Sequence, residues 1–259
     1  MVSAPLLAVA GAVAVGGVLA LWQAYRELRP VYHILTNDPI SVRDLSTRSG
    51  PVEIEGTARP TDDHGVVHTP FTDTDCLAFE YETQEYQSHG QGGSWKTLDE
   101  GGTWVPFLVE DDTGMVRVDP AGAELHFEEH SLKVRGGDDP PDRIAEYIAE
   151  TDDVDPQDKS IDVVVTELNY GNSQKFIERR LDVGEHVYVY GTAGRAPAGE
   201  WGSRLVDAEV GDGEAVPQFV VSDTSERGTA WRIGKGALGW LAFGLALLVV
   251  AALIVAVSV

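Results

Sequence analysis

The sequence predicts a mainly β protein: a small β-barrel or sandwich domain with one short helix, flanked by two transmembrane helices. Three observations carry that prediction. Residues 4–22 and 236–258 are apolar and uncharged, and about 20 such residues cross a bilayer. Between them, residues 50–222 break into short runs of alternating apolar and polar side chains, separated by Gly, Pro and Asp clusters, the pattern of many short strands. Only residues 142–150 in that middle part have clear helical spacing, with Ile144, Tyr147 and Ile148 on one face.

Taken in order, the first apolar run is read as an uncleaved span. Met1-Val2-Ser3 carries no Lys or Arg, unlike a secretory leader, and the first charges follow at Arg26 and Arg29. Trp22 and Tyr25 suit a membrane interface, and Gly11, Gly16 and Gly17 permit close helix packing. The strands begin with Val52-Glu53-Ile54-Glu55-Gly56, which alternates, and a polar loop covers residues 60–69. In the next strand Leu77, Phe79, Tyr81 and Thr83 face one way, and Ala78, Glu80 and Glu82 the other. Residues 88–93 read as a Gly-rich loop, and Glu100-Gly101-Gly102 as a second turn between Trp95 and Trp104.

The organising stretch is residues 104–123. Val105, Phe107 and Val109 recur at period two, as do Val116 and Val118, around Glu110-Asp111-Asp112-Thr113-Gly114. Asp bonds its own backbone in turns and Gly accepts positive φ, so the stretch reads as a β-hairpin, stopped by Asp119-Pro120. Short runs follow at Leu125 and Phe127 and at Leu132 and Val134. Beyond the helix come an acidic loop at 152–158, a strand at 161–168, a turn at 181–185, and a strand with Val187 and Val189 opposite Tyr188 and Tyr190. A loop at 194–202 leads to last strands at Leu205-Val206 and Phe219-Val220-Val221. Arg227, Arg232 and Lys235 precede the second span. Basic residues flank both spans on the side of the middle domain, so the positive-inside rule places that domain in the cytoplasm of a multi-pass cell-membrane protein.

Charge and cysteine narrow the function. Lys and Arg total 19 against 42 Asp and Glu, for a net charge of -23, with only five lysines. Such a field repels nucleic acid, and it opposes folding unless salt screens it. Acidic surplus with scarce lysine is the expectation for the cytoplasm of a salt-loving organism. The lone Cys76 excludes an internal disulfide and a cysteine-based zinc module in these residues, and a small buried thiol explains it.

Candidate chemistry is thin. His64 and His68, and His126 and His130, are each four apart, but no third ligand is placed for zinc. Glu110, Asp111 and Asp112 imitate paired catalytic carboxylates, yet turn chemistry already accounts for them. Glu128-Glu129 and residues 152–158 read as solvated faces. There is no GxSxG, P-loop or GxGxxG motif. No catalytic, cofactor or metal site is assigned.

Four runs carry a family resemblance: GPVEIEGTARP, TPFTDTDCLAFEYETQEY, WVPFLVEDDTGMVRVDPAGA and ERRLDVGEHVYVYGTA. Together they resemble the GIDE domain, the membrane-proximal domain of Mulan-type mitochondrial E3 ubiquitin ligases and their prokaryotic relatives. The resemblance covers roughly residues 50–222, with a membrane helix on each side, and the acidic, lysine-poor chain is similar to a haloarchaeal member. In that family a RING after the second helix supplies ligase activity, and this sequence stops at Val259. The resemblance therefore implies a membrane-anchored GIDE interaction module or scaffold without a catalytic site of its own. The competing expectation is an E3 ubiquitin-ligase-family protein acting with a separate RING chain. A membrane-linked hydrolase has only the acidic clusters behind it. Membrane lipid and another protein are the expected partners.

Overall fold

The computed structural model describes residues 4–36, 38–89, 92–152, 172–196 and 204–258. The chain is mostly strand. A closed five-stranded barrel is built from β1 (Gly50–Pro60), β5 (Phe107–Glu110), β6 (Met115–Val118), β11 (Leu205–Gly211) and β10 (His186–Arg195). β1 closes the ring by pairing with β10 over Gly50–Thr57 and with β5 over Thr57–Pro60. β12 (Val220–Ser222) and β7 (Glu124–His126) extend the sheet beyond β10.

The organising hairpin forms in the expected register, with Phe107 opposite Val118 and Val109 opposite Val116. All four side chains are fully buried. Its turn differs from expectation. Gly114 lies outside the left-handed region, and it is small for another reason: a Cβ there would meet the carbonyl oxygen of Arg204, just before β11, at 3.0 Å. Gly184, in the turn before β10, does hold a positive φ of 89°.

The second sheet contains β3 (Asp75–His89), β4 (Gly92–Trp104), β9 (Gln174–Asp182) and β8 (Glu129–Val134), with short β2 (Val67–His68) at the start of β3. The predicted turn at Glu100-Gly101-Gly102 is absent; of the predicted loop at 88–93, Ser88, His89, Gly92 and Gly93 are paired strand, and the two positions between them lie outside the described residues. Gly101 and Gly102 run within β4 because aromatic rings and backbone cross them closely. A Cβ on Gly101 would meet the Tyr81 ring at 2.8 Å, and one on Gly102 the Phe79 carbonyl at 2.5 Å. In β4, Leu98 is bulged out of register between Thr97 and Asp99. With Lys96 beside it, this blunts an edge that would otherwise invite strand addition.

The expected helix forms as α2 (Asp142–Asp152). It lies on one face of the second sheet, where Ile144, Phe71 and Phe176 are buried and Phe71 stacks edge-on against Tyr81, Tyr147 and Phe176 at 5.7, 5.0 and 5.2 Å. Glu178 fixes this layer from beneath. It is 2% exposed, accepts the Phe71 and Thr72 N–H groups at 2.7 and 3.1 Å, and takes the Thr72 hydroxyl at 2.7 Å. The strand predicted at 161–168 lies outside the described residues.

α1 (Ala4–Thr36) continues well past Trp22, through Pro30, and α3 (Glu226–Ser258) begins ten residues before Gly236. Within them, Pro5–Arg29 and Glu226–Val257 are long and apolar enough to cross a membrane. The two helices pack antiparallel where Gly17 meets Gly244: a Cβ on either would come within about 3 Å of the other's carbonyl oxygen. Their domain-proximal ends join the barrel core, since Ala230 is buried in it and Val31 and Ile233 pack against it. This covers the outside of β1 and β10. Val187 to Tyr190 are buried on both faces, and so is Glu53, which the alternation had placed outward. The Tyr188 hydroxyl donates to Glu53 at 2.8 Å, and burial followed by that carboxylate drives the phenol pKa up.

Candidate functional site

Neither histidine pair gathers a third ligand among the described residues. His64 contacts Asp63 at 3.0 Å, and His68 contacts Asp75 at 2.9 Å from β2. His126 and His130 sit on different sheets, in β7 and β8, and His126 lies 3.1 Å from Glu124. Among the described residues no group of three or more His, Cys, Asp or Glu is arranged to hold a metal ion. Cys76 is fully buried beside Val67, and burial pushes its thiol up to about 12, away from the thiolate a nucleophile needs.

The acidic turn is structural. Glu110 bridges Arg59 and Arg204 at 3.0 and 2.9 Å. Asp111 accepts the Thr113 and Gly114 N–H groups at 2.7 and 2.8 Å and the Thr113 hydroxyl at 2.7 Å. Its other oxygen takes the Val42 N–H at 2.9 Å, while Thr113 takes that of Arg43 at 3.0 Å. These are the first donors of a 3₁₀ turn, Val42–Thr47, whose own N-cap residue, Ser41, provides no side-chain cap. The hairpin thus caps a distant helix start, a role with no local sequence signal. Burial opposes the charge on Asp111, but the four donors outweigh it and hold its carboxyl below the ordinary aspartate value of 3.8. A carboxylate with a lowered folded pKa stabilises above the unfolded value and loses that contribution as pH falls. Asp111→Ala is therefore expected to cost about 1–3 kcal/mol at neutral pH. The gap to wild type should narrow below pH 3.8, which melts across a pH series measure directly.

What remains is a surface. One face of the second sheet is sealed by α2, where the Tyr147 hydroxyl donates to Asp99 at 2.6 Å. The opposite face is open. Its strand partners are Ala78 with Trp104, Glu80 with Gly102, Glu82 with Glu100, and Tyr86 with Trp95. Trp104 is 44% exposed, Tyr86 37% and Trp95 36%. Tyr86 and Trp95 stack edge-on at 5.4 Å, and Lys133 lies 5.1 Å over the Trp95 ring. At the barrel end of this face a groove of about 480 Å³ runs between Glu80, Glu82, Glu100 and Trp104 and the wall made by Ala123 and Leu125. Burial raises the Glu80 carboxyl against the pull of Arg179. Glu82 is also desolvated, but Thr97 and Gln84 donate to it, both at 2.7 Å, and hold it low. Arg179 is shared between Glu129 at 3.0 Å and Glu82 at 3.8 Å. The Glu100 side chain makes no hydrogen bond or ion pair among the described residues. The sequence reading missed this surface because it placed a turn at Gly101-Gly102, where the glycines form the groove floor.

A family model described as GIDE, E3 ubiquitin ligase, matches residues 79–256. The chain belongs to the GIDE family. No curated protein and no solved structure matches it. The GIDE match runs from inside β3 to near the end of α3, so it takes in the open sheet face, the organising hairpin and the second apolar helix.

Proposed function

We propose that this GIDE chain is a membrane-anchored interaction module. α1 and α3 cross the bilayer and hold the barrel at its surface, and the open face of the second sheet receives a protein partner. The observation that carries this reading is the asymmetry of that sheet. One face is closed by α2, whereas the other exposes Tyr86, Trp95 and Trp104 beside a carboxylate-lined groove. Exposed Trp and Tyr that bury together on association dominate binding energy in protein interfaces. Membership of an E3 ligase family supports one specific form of the reading, in which the partner is a separate RING-bearing chain. A photo-cross-linker replacing Thr97, in native membranes, is expected to give a discrete adduct that the same probe at Glu146 on α2 does not. Equal labelling at both positions, or none at Thr97, counts against the reading.

The charge and flanking-residue patterns extend the proposal. The domain faces the cytoplasm, so a cysteine introduced at Ser94 should resist a membrane-impermeant thiol reagent in intact cells, and prompt labelling would reverse the orientation. The surface is adapted to molar salt. At 1 M the Debye length is about 3 Å, which removes most self-repulsion of a chain at net charge -23. Melting temperature should therefore climb steeply with KCl, and a flat curve would refute this adaptation.

A further inference from the structure

We propose that a cleft at the foot of α1 binds the phosphate headgroup of an anionic phospholipid. The proposal rests on the reading that α1 and α3 cross a bilayer. The cleft, about 620 Å³, is lined by Trp22, Tyr25, Arg26 and Arg29 of α1, Ile233 of α3 and Gln218 from the loop before β12. Its height suits a headgroup. Pro5 to Trp22 rises about 27 Å at 1.5 Å per residue, close to the hydrocarbon core of a bilayer. Trp22 and Tyr25, both exposed, then lie at the interface where amphipathic rings settle. The helix contacts agree from the other side. Gly244 meets Gly17 and Gly236 meets Glu27, which brings the exposed Trp240 level with Trp22 and Tyr25. Arg26 and Arg29 stand one to two turns further out, at phosphate depth.

Charge supplies the second argument. In a chain with 42 acidic and 19 basic residues, cations are in demand. Arg59, Arg117, Arg179, Arg180, Arg204 and Arg232 each face a carboxylate. Arg26 and Arg29 make no ion pair among the described residues. Arg26 instead lies 4.9 Å over the Trp22 ring at the mouth of the cleft. Two carboxylates share the wall: Glu27 accepts the amide of Gln23, also in the lining, at 3.1 Å, and Glu124 faces His126 at 3.1 Å. Two free guanidinium groups beside an interfacial aromatic pair suit a phosphate diester, which takes planar paired donors. The aromatic rings are left to pack against the glycerol and upper acyl carbons.

The test uses the full chain, extracted from membranes in mild detergent and equilibrated with equal phosphatidylglycerol and phosphatidylcholine. After reisolation, the retained lipid is quantified. Phosphatidylglycerol should exceed phosphatidylcholine by about thirtyfold, the scale set by two basic residues at an anionic surface. Arg26→Gln with Arg29→Gln should bring the ratio to parity without moving the melting temperature. Equal retention of the two lipids by the wild type overturns the site, and so does an unchanged preference in a folded double variant. Displacement of the lipid by inorganic phosphate at constant ionic strength also overturns it and assigns the cleft to the free anion. Recovery of the chain in the soluble fraction without detergent is a separate failure, that of the membrane reading underneath.

Discussion

Phe107→Ala is expected to lower the stability of the folded domain by about 3–5 kcal/mol, the range for truncating a fully buried aromatic side chain. Phe107 sits in β5 with Val118 opposite it on β6 and Pro60 opposite it on β1, so its ring lies where three barrel strands meet. Its cluster includes Val109, Val116, Val118 and Ile54, none of which is exposed. A closed ring of strands cannot collapse into the void, because each strand is held on both sides by its ladder. Most of the lost volume therefore remains as cavity. Denaturant melts of the full chain in detergent measure the change. A loss below about 1 kcal/mol would mean that the barrel relaxes around the truncation, contrary to close packing.

Glu178→Leu should cost a comparable amount, about 3–5 kcal/mol, through a different mechanism. The leucine fills similar space but accepts nothing. The buried Phe71 N–H then loses its acceptor outright, and the Thr72 N–H and hydroxyl, which stand at the solvent edge, lose theirs as well. Arg180, itself mostly buried, keeps only its contact with Asp182 at 2.8 Å. The ordering of residues 69–74 over the second sheet depends on these bonds, so the edge-on stack of Phe71 on Tyr147 should loosen with them. Glu178→Gln separates the two contributions, because its carbonyl oxygen still accepts both amides. It should retain most of the stability and the near-ultraviolet dichroism of the aromatic cluster. If leucine and glutamine behave alike, the acceptor role is wrong.

Which features were legible in the sequence follows from how local their causes are. The β5–β6 hairpin was readable because period-two burial and its turn lie within a dozen residues. Helix α2 was readable because Ile144, Tyr147 and Ile148 fall on one helical face. Glu53 was not: Val52-Glu53-Ile54-Glu55 alternates like a half-exposed strand. The Tyr188 hydroxyl that satisfies its carboxylate is 135 residues away, and the cover over β1 comes from the helix ends. Gly101-Gly102 reads as a turn by composition, and only the Tyr81 ring across the ribbon explains glycine inside a strand. Glu178 and Asp111 are the same lesson in polar form. Each looks like a surface charge on its own strand or turn, and each satisfies the backbone of a segment far along the chain. The cleft at Arg26 and Arg29 was half visible. The sequence showed basic residues beside an aromatic pair, but not the wall contributed by Gln218 and Ile233.

The central claim is that this GIDE chain binds and presents a partner and does not itself catalyse ubiquitin-type transfer. A reconstituted transfer assay tests it most directly, with the full chain in detergent and high salt, an activating enzyme and a modifier from the same organism. The expected result is no conjugate that depends on this chain alone, with or without Cys76, because that thiol is buried and held protonated. Conjugates that require the chain and vanish with Cys76→Ser would contradict the claim and make Cys76 the nucleophile.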